Sequence, residues 1–212
     1  MTGVEALAEL GFLIDEVQLE HQTKRRAECA RQVYLHAFAG ADLGPYVARL
    51  QQVASTDYMT MRHIGWALAV HAYRTGDGAL VQALLAGPHR LATLQLDHRG
   101  PVGPAPIAAL LDHATAAQGG DRQLALIALA RRGEHGADLA PLIPLLLESL
   151  GAKPSGRGGK RVDLDAMARG MLGTLLRRGG PAGAALRAEL TRRAAGTGAA
   201  AQAAAAVLAA VG

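Results

Sequence analysis

Two stretches, "GADLGPYVARL" at 40–50 and "GADLAPLIPLL" at 136–146, constrain what this chain can fold into more than any other feature. They share Gly-Ala-Asp-Leu, a proline five residues after the glycine, and the apolar positions that follow. An Asp just ahead of a helix accepts hydrogen bonds from first-turn amides that have no carbonyl partner. A proline in that turn costs little, because its missing N–H would have gone unbonded anyway. Asp42 and Asp138 are therefore expected to cap helices that carry Pro45 and Pro141 in their first turns. Each stretch is followed by a second helical pattern, "DYMTMRHIGWALAVHAYRTGD" and "VDLDAMARGMLGTLLRRGG". The recurring unit is a helical hairpin.

The rest of the chain divides in the same way. A helix over 3–20 precedes "HQTKRRAECARQVYLHAF", a short helix spans 78–86, "IAALLDHATAAQ" precedes "DRQLALIALARR", and "PAGAALRAELTRRAA" precedes "AAAQAAAAVLAAV". Glycines and Gly-Pro pairs punctuate the junctions, and nothing alternates with a period of two for long enough to make a strand. Composition agrees: aromatics are only 3% of the chain, and Ala and Leu carry the apolar load. Sheets draw on Val, Ile, Thr, Tyr and Phe, whereas small and unbranched apolar residues suit closely packed helices. The expectation is an all-α chain forming a single domain over 1–212. Within it, 87–106 is irregular and 151–161, "GAKPSGRGGKR", is a basic glycine-rich loop.

The helix pattern of 57–75 is apolar nearly all round. Tyr58, Met59, Arg62, Trp66, Val70 and Tyr73 gather on one side, with Met61, Ile64, Leu68 and Ala72 on the other. Such a helix is normally buried between neighbours. The Ala-rich C-terminus buries little per residue and is expected to form a thin terminal helix that frays or meets a partner.

An apolar first helix with an early proline, then a second opening on Asp with Arg and Ala among apolar positions, resembles the HEAT-like family of α-solenoids. The resemblance rests on "ADLGPYVARLQQVASTDYMTMRHIGWALA" and "GGDRQLALIALARRGEHGADLAPLIPLLLESL", with partial support in "KRRAECARQVYL" and the last two helices. It implies an α-α superhelix of about four to five hairpins. It also implies a role as a non-catalytic scaffold that binds a protein partner across its helical surface.

Charge is distributed unevenly. Ten Lys or Arg against three acids fall between 151 and 193, while residues 1–20 carry five acids and no base. A basic third of this kind could contact an acidic protein or nucleic acid. Its binding candidates are Arg157, Lys160, Arg161, Arg177 and Arg178. The other candidate set is Arg62, Trp66 and Tyr73, since Arg, Trp and Tyr dominate interface energetics. The alternative function is nucleic-acid binding through the basic third, extending to an enzyme of the DNA glycosylase type. Glycosylases built on HEAT-like repeats use an aromatic cleft with a carboxylate, and Tyr58, Trp66, Tyr73, Arg62 and Asp57 are the comparable set here.

Other chemistries find little support. A phosphate cradle needs G-x-x-x-x-G-K-[ST] after a buried strand, but Gly151 and Gly156 are followed by Arg157, and the preceding segment reads as a helix. The two Leu-Asp-His triplets, at 96–98 and 111–113, lack metal-ligand spacing, and a single Cys29 makes neither a disulfide nor a cysteine cluster. No catalytic residue, metal or cofactor is expected. The N-terminus lacks the basic-then-apolar order of a signal peptide, and no segment reads as a membrane span, which points to a cytoplasmic protein.

Overall fold

The computed structural model describes residues 3–19, 22–98, 100, 102–134, 140–153 and 163–212, with the side chains of 3–7, 19, 133 and 134 left aside. Among these residues the chain is all-α, with twelve α-helices, two 3-10 turns and no strand. They group into two compact units, one reaching to residue 113 and one beginning at 114.

The first unit contains α1 (Gly3–Leu19), α2 (Thr23–Ala39), α3 (Val47–Gln51), α4 (Tyr58–Thr75), α5 (Gly78–Ala86), α6 (Arg90–Gln95) and most of α7 (Pro104–Ala116). α1 packs on α2, α2 on α4, and α4 on both α5 and α6. The α1–α2 seam follows directly from spacing. Leu10, Ile14 and Val17 on one helix, and Ala30, Val33 and Ala37 on the other, form stripes at helical intervals and are fully buried. Arg26 ties the seam at its end by donating from Nε to the Val17 carbonyl at 2.6 Å.

α4 is the most enclosed helix of this unit, with eleven of its eighteen residues buried. Both ends are set by local chemistry. Asp57 accepts from the Thr60 amide at 2.7 Å, and Gly76, at φ 73°, closes the helix in the left-handed region that a side chain would resist. Midway along, Gly65 faces α6. A Cβ built at Gly65 would stand 2.6 Å from that of Ala92, so α4 and α6 approach each other this closely only because position 65 has no side chain.

The segment 87–106 differs from its expected irregularity, because Arg90–Gln95 is helical and Pro104 opens α7. Local breakers surround the short helix, and its packing on α4 supplies what its sequence lacks. Ala92, Thr93 and Leu94 are buried, and Thr93 returns a hydrogen bond from Oγ1 to the His89 carbonyl.

The second unit contains α8 (Gly119–Glu134), α9 (Ile143–Ser149), α10 (Leu164–Arg178), α11 (Gly180–Ala194) and α12 (Ala199–Ala209). α10 packs against α9, α11 and α12. The terminal helix buries Ala201, Ala203, Ala204 and Val207. At roughly 0.8 kcal/mol per buried methylene-sized group, against about 2 kcal/mol for a Leu, it is held by few strong contacts. Close approach compensates: Gly151, at φ 75°, lies where a Cβ would come within 2.5 Å of the Ala200 amide nitrogen.

The two Gly-Ala-Asp-Leu stretches lead into the same local structure. Pro45 sits in a 3-10 turn over Gly44–Tyr46, and Pro141 in one over Ala140–Leu142; short α-helices follow both. In the first copy Asp42 accepts from the Gly44 amide at 2.8 Å, so it nucleates a turn instead of capping a full α-helix directly. Asp138 lies outside the described residues. Asp57 and Asp163 then cap the longer helices α4 and α10 in the same manner, on the amides of Thr60 and Ala166.

Candidate functional site

The site is built on the first half of α4. Because Asp57 fixes where the helix starts, Tyr58, Arg62 and Trp66 fall one turn apart along one face. Tyr58 is 54% exposed, and Arg62 and Trp66 are half-buried. The Arg62 guanidinium lies over the Trp66 ring, 4.1 Å from its centroid, and 5.9 Å from that of Tyr58. Stacking of this kind holds a planar cation at an aromatic face while leaving its in-plane N–H edge open.

α2 contributes the wall. Tyr34 meets Trp66 at 5.3 Å between centroids with the rings tilted by 52°, and Phe38, one turn on, meets Tyr34 at 6.0 Å. His63 meets the edge of Trp66 at 5.8 Å. On the other side the Tyr58 hydroxyl points to Oε1 of Gln95 in α6 at 3.4 Å, which is long for a hydroxyl donor. Burial, followed by the charge of Asp97, raises the Tyr34 phenol above its ordinary value. Burial, followed by the Arg62 and Arg31 charges, lowers His63, against a hydrogen bond to the Ala27 carbonyl that favours its protonated form.

Among the described residues, two obligate donors of this cluster have no acceptor, and His63 Nδ1 is likewise unpartnered. Arg62 Nε and Trp66 Nε1 are shielded from solvent and make no hydrogen bond among the described residues. Leaving such groups unpaired costs about 1–3 kcal/mol each. The cluster offers stacking surfaces, an apolar rim and a donor fork. Asp57, the N-cap of α4, is held below the usual carboxylate range by hydrogen bonds from the Thr60 hydroxyl and amide. It is therefore occupied as a helix cap.

Tyr73 does not join this set. It is 1% exposed, and its ring meets His98 at 5.5 Å. A tyrosine so enclosed is a core residue, which corrects the anchor contact expected of it. Conversely, Tyr34, Phe38 and Gln95 complete the site and were not singled out from sequence. The Tyr-x-x-x-Phe spacing puts Tyr34 and Phe38 on one face of α2 but does not say what that face meets, and no local pattern marks Gln95.

The basic candidates belong to the second unit. Arg177 and Arg178 are exposed in the last turn of α10, where cations complement the partial negative charge of a helix C-terminus. Arg192 and Arg193 occupy the same place in α11 and both bond Glu189, whose carboxyl they hold down to about 2. Arg169 pairs with Asp165 at 2.9 Å. Arg157, Lys160 and Arg161 lie outside the described residues. A cleft of about 390 Å³ beside Gly151, Lys153, Asp165, Arg169 and Gln202 is lined elsewhere by alanines. Its Asp165 already accepts from both Arg169 and the Gly151 amide.

Among the described residues no group of three or more His, Cys, Asp or Glu is arranged to hold a metal ion, and no helix is long and apolar enough to cross a membrane. Comparison of the chain with protein-family models, with curated proteins and with solved structures finds no match in any of the three.

Proposed function

We propose that this chain is a non-catalytic binding scaffold of the HEAT-like kind, a superhelix of about four to five hairpins that presents helical surfaces to a protein partner. The observation that carries the binding reading is the Arg62–Trp66 stack, a half-buried cation held against an aromatic ring with no acceptor among the described residues. Support for the scaffold comes from packing between neighbouring helices and from the order of 3-10 turn, short helix and Asp-capped long helix found after each Gly-Ala-Asp-Leu copy.

Nucleic-acid binding through the basic third is the weaker reading. Arg169, Arg192 and Arg193 already pair with carboxylates, and the other exposed described cations between 151 and 193 are Lys153, Arg177, Arg178 and Arg187. The glycosylase-type reading loses its carboxylate to the α4 cap and Tyr73 to the core.

Affinity capture with the whole chain, set against a Trp66→Ala, Arg62→Ala double variant of unchanged helix content, tests the proposal. Proteins retained by the native chain and lost by the variant are the expected result. An identical retained set would show that α4 is not the contact surface.

A further inference from the structure

The proposed contact surface also has a charge and a rim, and together they define the partner. We infer that the α2–α4–α6 face binds a peptide segment carrying a single carboxylate beside an aromatic or aliphatic side chain, with the carboxylate seated on the Arg62 fork. The inference rests on the scaffold reading above and specifies its partner.

The carboxylate follows from a comparison of Arg62 with the five other described arginines on or before α4. Arg25, Arg31 and Arg49 each meet a carboxylate, on Glu16, Glu28 and Asp15 respectively. Arg26 and Arg74 donate to backbone carbonyls. Arg62 differs: among the described residues no oxygen accepts from it, and aromatic rings hold it in place instead. With Nε enclosed, the open edge is the pair of terminal nitrogens, whose parallel N–H bonds match a carboxylate. Stacking fixes the plane of the guanidinium beforehand, so less side-chain freedom is lost on binding.

The apolar part follows from the rim. Of the six large hydrophobic side chains exposed among the described residues, five lie on α2, α4 and α6: Leu35, Phe38, Tyr58, Met59 and Leu91. Phe38 reaches the stack through Tyr34, and Leu91 lies one turn before Gln95, which meets Tyr58.

A single carboxylate, as opposed to a polyanion, matches the single guanidinium that the rings hold in place. Bases of a nucleic acid are disfavoured, because Arg62 covers the Trp66 face on which a base would stack.

The test is selection of random twelve-residue peptides on the immobilised whole chain, with Trp66→Ala as the counter-target. The expected consensus has one Asp or Glu within a few positions of an aromatic or aliphatic residue. Trp66 is the single tryptophan of the chain, so its emission reports binding of a selected peptide directly. Replacing the peptide acid by its amide should weaken binding on the order of tenfold. With Arg62→Gln the acid and amide peptides should bind equally.

A consensus without acids, or equal affinity for acid and amide peptides on the native chain, overturns the inference while leaving the surface itself intact. So does duplex DNA or polyglutamate perturbing Trp66 as strongly as the peptide. Failure to select any pool that prefers the native chain to Trp66→Ala would sink both the inference and the surface beneath it. The peptide substitution requires no protein variant, so it stands even where Arg62→Gln folds poorly.

Discussion

The two units are built from different alphabets. Every aromatic residue lies between 12 and 73, and none of the eight histidines lies beyond 135. The first unit buries His63, His71, His89, His98 and Tyr73 in its interior, whereas the second is filled by Leu, Ala and Met, with Arg132 and Ser149 as its buried polar residues among those described. Large shaped side chains give the first unit a surface able to discriminate among partners. Small ones give the second close helix approach and little else. The binding surface proposed above lies in the aromatic unit, although the alanine-rich unit carries the greater local charge.

That contrast can be broken at its two tightest points. Gly151→Ala would impose a left-handed strain of roughly 1–2 kcal/mol together with an overpacking cost of about 1–3 kcal/mol against α12. The expected outcome is faster amide exchange throughout α12 with Trp66 emission unchanged. Gly65→Ala carries only the overpacking cost, about 1–3 kcal/mol, because the clash is with a side chain in an ordinary helix. It should lower the unfolding midpoint read by Trp66 and leave exchange in α10 to α12 as it was.

Acidification sharpens the same difference. Burial lowers the proton affinity of His63, His71 and His89 below that of free histidine. Arg62 and Arg31 reinforce this at His63 and Arg74 at His71, opposed by the Ala27 carbonyl and Glu28 at the first and by Asp42 and Asp77 at the second. At His89 the Met61 carbonyl is the opposing group. Such groups bind fewer protons folded than unfolded. Their stabilisation is thus complete above about 6.5 and is lost as pH falls from there toward the folded values. Thermal melts followed at Trp66 should show a falling midpoint between pH 7.5 and pH 5. Described residues of the second unit include no histidine, so exchange corrected for intrinsic rate should change less there over the same range.

Helix caps give a smaller and matched effect. Asp57→Ala and Asp163→Ala each remove an acceptor from a first-turn amide and should cost about 1 kcal/mol in their own units. Unequal losses would mean that tertiary packing, not the cap, fixes one of the two helix starts. Smallest of all, Arg177→Ala and Arg178→Ala should change stability by no more than about 0.5 kcal/mol in a urea titration.

Much of the helical content was legible because it is written in local chemistry. The span 57–75 was readable from its periodicity and from Asp57 and Gly76 at its ends, and α4 runs from Tyr58 to Thr75. Helix α6 was not, since Gly87-Pro88 and the prolines beyond it argue locally for a loop. Its helicity depends on α4 offering Gly65 to Ala92, a contact 27 residues away that no local pattern displays. The helical wheel likewise placed Tyr58 and Tyr73 on one side but could not say which neighbours cover each end. His98 encloses Tyr73, while Tyr58 is left open. Arg62 and Trp66 were legible as a pair from their spacing, but Tyr34 and Phe38 required knowing that α2 packs on α4.

Amide exchange of the whole chain, with and without a selected or captured partner, tests the central claim most directly. The account predicts slowed exchange in α2 around 34–38, in the first half of α4 and in α6, with 163–194 unchanged. Protection confined to 163–194, with the helices around Arg62 and Trp66 unaffected, would contradict it.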